Sequence, residues 1–228
     1  MAAVEHPYAA LDNLPAARSV VAVCAHPDDE AFGLGAVLAA LAAGGARTTV
    51  VCLTRGEAST LGSNADLDRV RAAELEEAAA TLGVGAVVLS DHADGRLADE
   101  PLGDLAAEAG AAVADAGADL LLAFAPDGVT GHPDHARATE AAAVVADRAG
   151  LPLLAWTLET AVAAALNAEL GTSFSGTDVP DLRVRVDRSV QLRAIACHAS
   201  QAADNPVLWR RLELQGDVEV LCWLRTPG

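Results

Sequence analysis

VVAVCAHPDDEAFGLGAVL, residues 20–38, is the stretch on which the fold reading turns. Its first six residues, Val20-Val21-Ala22-Val23-Cys24-Ala25, form an apolar run with the length and branching of a buried strand. The run stops at His26-Pro27-Asp28-Asp29-Glu30, and an Ala- and Leu-rich helical stretch follows to Gly44-Gly45. One histidine and three carboxylates therefore sit between a strand end and a helix start. In open α/β sheets that is where ligands bind, outside the carboxyl ends of the strands. A phosphate cradle needs bare backbone N–H groups and glycines; here three acidic side chains would occupy that end and repel an anion. Gly33 and Gly35 come too late for a dinucleotide fingerprint, and Leu38 stands where a third glycine would. What suits carboxylates beside an imidazole is a cation. His26 and Asp29 offer one N and one O ligand, half of a set for a divalent metal.

The other half is expected from Gly131-His132-Pro133-Asp134-His135. This segment follows a second apolar run, residues 120–125, and precedes a helical run to Ala149. With the helix begun by His132, His132 and His135 share a face at i, i+3. Parallel strands present their C-terminal ends on one edge, so two loops distant in sequence can converge. Either segment alone reads more simply as a capped helix start. Both together, each after a strand, point to a metal site.

The rest of the chain is expected to repeat the strand–helix alternation. Further strands are predicted at residues 48–54, 86–90, 120–125, 151–158, 182–186 and 218–224, the last closing the sheet. Helices are predicted at 66–82, 101–116, 132–149, 160–170 and 187–202. The pattern implies one α/β domain over residues 1–228: a three-layer α/β/α, Rossmann-like fold with a mostly parallel sheet and a lead-in at 1–17. The hydrophobic fraction is 52% with only 3% aromatics, so the core has to be built from Ala, Val and Leu. A formal net charge of −17 excludes nucleic acid and anionic membrane as partners. Cys24, Cys52, Cys197 and Cys222 have no paired spacing and read as reduced thiols. With no signal peptide and no membrane-length apolar run, a cytoplasmic location is expected. The oligomeric state is open, and a homo-oligomer is allowed.

Here the residues carry a family resemblance. Ala25-His26-Pro27-Asp28-Asp29-Glu30 and His132-Pro133-Asp134-His135 resemble the two signature motifs of the LmbE-like (PIG-L) family. Leu53-Thr54-Arg55-Gly56-Glu57, Arg71-Ala72-Ala73-Glu74, Asp94-Gly95 and His198-Ala199-Ser200-Gln201 resemble further family segments, in the family's order, over about residues 18–202. The resemblance implies a zinc-dependent de-N-acetylase acting on a small-molecule N-acetylglucosamine conjugate or a related amide. His26, Asp29 and His135 would hold zinc and leave a position open, as in catalytic sites. Ferrous iron would accept the same N/N/O set. Asp28 would be the general base, and His132, as an imidazolium, would stabilise the oxyanion or protonate the departing amine. Arg71, Asp94, Glu57 and Arg55 are the expected substrate-binding residues. On spacing alone Arg71 is a solvated salt-bridge residue, and Asp94-Gly95 a turn. His198 is either packed or in the pocket. Asp127 and Asp134 are both candidates to orient a ligating histidine. Residues 58–65 form either a flap or a long turn. An amidase of a thiol-cofactor conjugate is the nearest alternative, and a metal- or sugar-binding protein without catalysis the more distant one.

Overall fold

The structure, a computed structural model, describes residues 12–61 and 66–228. Five strands run parallel: β1 (Ser19–Cys24), β2 (Arg47–Thr54), β3 (Ala86–His92), β4 (Leu120–Phe124) and β5 (Leu153–Thr157). β6 (Leu182–Arg185) and β7 (Val218–Arg225) complete a seven-stranded sheet of order β3-β2-β1-β4-β5-β7-β6, with β7 antiparallel to both neighbours. The expectation that β7 closes the sheet is corrected: it is an inner strand, and β6 forms the edge. The order reverses at β1, which lies between β2 and β4. A crevice at the C-terminal ends of β1 and β4 follows, because their connections leave on opposite faces.

Alternation along β1 shows how the sequence divides the core. Val20, Ala22 and Cys24 face one layer, containing α2 (Gly35–Ala43), α3 (Leu67–Leu82) and α7 (Ser189–Cys197). Val21, Val23 and Ala25 face the other, containing α4 (Leu102–Ala116) and α5 (Pro133–Ala149). Ala106, Ala109 and Ala112 of α4 oppose Ala138, Ala141 and Ala142 of α5 in that layer. The alanines supply the packing that the scarce aromatics do not.

Two predicted helices are interrupted. The stretch after β1 divides at Gly33-Leu34 into α1 (Asp29–Phe32) and α2; Gly33 packs directly on Phe124, and a Cβ there would stand 2.5 Å from that ring. The stretch from 187 breaks at His198 into α7 and α8 (Ala199–Ala202). α6 (Thr160–Leu170) stands as predicted. The sequence reading missed α9 (Pro206–Gln215), although Asn205-Pro206 is a cap-and-start pair and Leu208, Arg211, Leu212 and Gln215 recur at helical spacing. Of the lead-in, residues 1–11 lie outside the described residues; Asp12 bridges to Val184 of β6. Of the loop 58–65, residues 62–65 also lie outside them. No helix among the described residues is long and apolar enough to cross a membrane. All four cysteines are free thiols.

Candidate metal centre

The two segments singled out by the sequence meet at the reversal point. His26 stands two residues beyond β1, Asp29 opens α1, and His135 stands in the first turn of α5, all three buried. His26 Nδ1 is 3.1 Å from His135 Nε2, which is 3.1 Å from Asp29 Oδ1. Asp29 Oδ2 is 3.9 Å from His26 Nδ1 and accepts the backbone N–H groups of Ala25 and His26 at 3.0 and 2.9 Å, which fixes the carboxylate.

The far side of each ring decides what its near nitrogen carries. His135 Nδ1 lies 3.2 Å from the Gly128 carbonyl and 2.8 Å from Thr130 Oγ1, so it bears the proton. His26 Nε2 faces Asp94 Oδ1 at 3.0 Å and Asp134 Oδ2 at 3.4 Å, so it donates as well. In neutral rings this leaves two lone pairs aimed at each other beside a carboxylate, an arrangement that only a positive charge relieves. His26 reports the same deficit: burial pulls its pKa down, yet hydrogen bonds to Asp134 and Asp94 and the charge of Asp29 raise it to about 10. Burial raises the pKa of Asp29, but the charges of His135 and His26 hold it well below the usual carboxylate range.

The residues fit a metal ion. Ligand atoms bound at about 2.0–2.1 Å in a tetrahedron stand roughly 3.3 Å apart; His135 Nε2 stands 3.1 Å from both His26 Nδ1 and Asp29 Oδ1, and the ligand atoms of the three residues all lie within 4.8 Å of one another. A second grouping, His26, His132 and Asp134, is also compact. Its atoms are already engaged: Asp134 accepts from Gly95 and Leu97 N–H at 2.7 and 3.1 Å, and His132 Nδ1 accepts from Asp134 N–H at 3.2 Å. Of the two candidates to orient a histidine, Asp134 reaches His26 and Asp127 does not. Asp127 accepts from Val129 N–H and shapes the turn.

Asp28 stands beside the triad in a backbone conformation of φ 125°, which costs an L-residue about 1–3 kcal/mol. Its backbone N–H donates to Glu30 Oε2 at 2.9 Å, and Glu30 Oε1 pairs with His198 Nε2 at 2.6 Å. Glu30 and His198 are wholly buried, so His198 is packed. Arg71 Nη2 donates to Asp28 Oδ2 at 2.9 Å and to the Pro27 carbonyl, while Nη1 donates to the Gly56 carbonyl at 2.6 Å. Burial pushes the Asp28 carboxyl up to about 6 against the opposing pull of Arg71.

Arg71 is therefore not the solvated salt-bridge residue that its charged neighbours suggest; it is 3% exposed. The signal was present in the sequence. Leu67, Arg71, Leu75, Ala78 and Leu82 form the buried stripe of α3 at spacings of four and three, with Arg71 inside it. One turn on, Glu74 accepts from Ser200 N–H and Oγ–H at 2.8 and 2.6 Å, which joins the Arg71-x-x-Glu74 and His198-x-Ser-Gln motifs.

A cavity of about 880 Å³ opens over the triad. Asp28, Arg71, Asp94, His132 and Gln201 line it, as do residues 58–61 and 172–174. Two expected substrate-binding residues are not among its lining. Arg55 turns outward to Asp91, and Glu57 accepts from Asp94 N–H at 2.9 Å and braces that loop. His132 caps α5 from an extended backbone and its ring stands 4.7 Å from that of His26. Burial, then the charges of His26 and His135, lower its pKa. With Nδ1 accepting from Asp134 N–H, the His132 ring presents its Nε2 side to the cavity.

The family profile described as PIG-L: GlcNAc-PI de-N-acetylase matches residues 21–146. A 1D-myo-inositol 2-acetamido-2-deoxy-alpha-D-glucopyranoside deacetylase of Corynebacterium glutamicum is 44% identical over 80 residues, 32% of this chain. That match spans 27% of the relative's length. Among solved structures, the A40926 pseudoaglycone deacetylase Dbv21 superposes with a TM-score of 0.69 at 22% identity, covering 94% of this chain and all of that one. GalB, the 4-carboxy-2-hydroxymuconate hydratase of Pseudomonas putida, superposes at 0.64 with 19% identity, covering 92% and 98%. At these identities the likeness speaks for the fold. One fold carries a deacetylase and a hydratase, so the reaction has to be argued from the site.

Proposed function

The chain belongs to the PIG-L (GlcNAc-PI de-N-acetylase) family, and on that premise we propose that it is a metal-dependent amide hydrolase. It removes an N-acetyl or related N-acyl group from a small glucosamine-type conjugate. His26, Asp29 and His135 hold the ion, with zinc the best match to two imidazoles and one carboxylate. When bound, such an ion supplies Lewis-acid chemistry, making water acidic near neutral pH and polarising a carbonyl. Asp28, free of the triad but next to it in sequence, takes the proton of the attacking water at its carboxylate. Neutral His132 donates from Nε2–H to the oxygen that gains charge as the amide carbonyl is attacked. A proton held by Asp28 then passes to the departing amine. Asp94 keeps lone pairs unused by His26 and Ala58 N–H and receives a substrate hydroxyl, with Arg71 beside it. Glu57 acts through Asp94, and Arg55 takes no part.

The observation that carries this reading is the pair of ring nitrogens 3.1 Å apart, each with its proton committed to the opposite side. A hydratase would use the same Lewis acid, but the family premise favours an amide. The test is amine release from N-acetylglucosamine derivatives by metal-loaded protein. Wild-type protein is expected to release amine, and Asp28→Asn to lose at least about a hundredfold while binding the same amount of metal. An Asp28→Asn protein hydrolysing at the wild-type rate overturns the assignment of the base. Protein that binds metal stoichiometrically yet cleaves no such amide overturns the activity.

A further inference from the structure

We propose that one side of the cavity is an apolar subsite that takes an alkyl or aryl substituent of the substrate. The proposal rests on the amide-hydrolase reading for the identity of the bond beside it. The chain has three phenylalanines in 228 residues, and Phe32, Phe124 and Phe174 all line this cavity, with Trp156. In so aromatic-poor a chain, that concentration marks a surface built for an apolar ligand. Elsewhere the buried core is almost wholly alanine, valine and leucine.

The wall has a buried back and an accessible front. Phe124, Trp156 and Leu208 are at most 5% exposed, whereas Phe32, Phe174 and Val207 are only partly buried. Apolar side chains left part-open inside a concavity gain from covering, at about 25 cal/mol per Å². The wall is also held rigid. The Phe124 and Trp156 rings are 5.0 Å apart, and Trp156 Nε1–H donates to buried Glu219 at 2.7 Å. The Arg211 guanidinium stands 5.1 Å over the indole. Asn167 clamps Phe174 by accepting its N–H at 2.7 Å and donating to its carbonyl at 2.8 Å. Preorganisation of this kind removes the ordering cost of binding.

The sheet order separates this wall from the polar one. Arg71, Asp94, Ser59 and Gln201 come from the β2–β3 side of β1; Phe124, Trp156 and Leu208 come from β4, β5 and α9. The triad lies between the two walls. A bipartite substrate follows, with sugar hydroxyls on one side of the scissile amide and an apolar group on the other. That group is either the acyl chain or the aglycone.

Three compounds distinguish these sources: methyl N-acetylglucosaminide, its octyl counterpart, and the methyl glycoside of N-hexanoylglucosamine. Each buried methylene is worth about fourfold. One extended compound is therefore expected to exceed the reference by at least about tenfold in kcat/KM, and its identity tells whether aglycone or acyl chain occupies the wall. Phe174→Ser and Val207→Asp are expected to bring that ratio below about threefold. Dissociation constants measured with metal-loaded Asp28→Asn protein give a second readout that needs no turnover. Tighter binding of an extended compound without cleavage by wild type keeps the subsite and rejects the amide-hydrolase reading. Cleavage of the reference with neither extended compound preferred, in rate or in binding, overturns the subsite and leaves the activity standing. If a variant fails to fold, the wild-type comparison still decides.

Discussion

Replacing Gly56 by alanine tests how Asp28 is held. Gly56 has φ +69°, and a Cβ there would stand 2.0 Å from Arg71 Nη1 and 2.3 Å from Cζ. Non-bonded heavy atoms settle near ~3.5 Å, so the guanidinium has to withdraw by roughly 1.5 Å. It has no easy retreat, being buried and bonded to the Gly56 and Pro27 carbonyls and to Asp28. The left-handed backbone costs alanine about 1–2 kcal/mol. Each hydrogen bond lost from a charged donor costs about 1.5–3 kcal/mol. With partial relaxation the total is about 4 kcal/mol, a Tm lower by about 8–16 °C for a chain of this size. Gly117→Ala is the control: it has φ +55° and no atom within 4 Å of its Cβ. It bears the backbone term alone, about 2–8 °C. Activity should separate the two variants further. Displacing Arg71 removes the cation that draws down the Asp28 pKa, so the carboxyl rises from about 6. At pH 7, kcat/KM then falls at least about tenfold and recovers at higher pH; Gly117→Ala keeps the wild-type value. If the two variants melt within about 2 °C of each other and Gly56→Ala stays fully active, Arg71 is not the restraint described.

As the proposed base Asp28 has to be ionised, so kcat/KM is expected to fall as pH drops through its pKa; the carboxyl is pushed up to about 6, and a neighbouring cation can only lower it. The acid inflection of a pH profile at saturating metal therefore lies at or below about 6, and an inflection above about 7 contradicts the assignment. Glu219→Ala leaves Arg188 and the Trp156 N–H without their buried acceptor. The loss should be about 3–5 kcal/mol, read as a Tm lower by about 6–20 °C; a fall under about 3 °C would show that water enters to replace the carboxylate. Zinc at about a thousand times its Kd adds about 4 kcal/mol, so Tm rises by about 8–16 °C and falls back on chelation. His135→Ala should lose both the bound ion and the rise, as measured by elemental analysis and melting in parallel.

Local signals and long-range ones fared differently in the sequence. β1, α6 and the loops carrying His26 and His135 were legible, because each is written in a contiguous run: a branched apolar strand, then an acidic or histidine-bearing helix start. The breaks at Gly33 and His198 were not. The first lies where Gly33 packs on the Phe124 ring, and the second accompanies a pairing with Glu30, both contacts across the fold. Arg71 stood between two readings, a solvated salt bridge by spacing and a substrate contact by resemblance. Its charge invited a surface assignment, while its position in the Leu67–Leu75 stripe gave the correct one. Of the two oxygens that face His26 Nε2, Asp134 was among the candidates and Asp94 was not, because Asp94 reaches the ring from the loop after β3 and is adjacent to it only in the folded chain. The apolar wall left no local trace, its aromatics being drawn from α1, β4, β5 and the segment before β6.

The family match also divides the molecule. Residues 21–146 contain His26, Asp28, Asp29, Arg71, Asp94, His132 and His135, the groups assigned to ion, proton and hydroxyl. Trp156, Phe174, Val207, Leu208 and Arg211 all fall beyond it. The division has a physical origin in the sheet. Groups that handle the ion must sit where β1 and β4 end, since only the reversal point brings two strand-end loops together. Groups that meet the remainder of a substrate need only border that crevice, and here β5, the 172–174 segment and α9 supply them. On the proposed function, substitutions in this second set are expected to change which substrate is taken while leaving the triad geometry intact, because no hydrogen bond joins those side chains to His26, Asp29 or His135 among the described residues. Phe124 is the exception: its ring stands 5.0 Å from that of His135 and 5.0 Å from that of Trp156. Through that ring a change in the apolar subsite is expected to reach the triad.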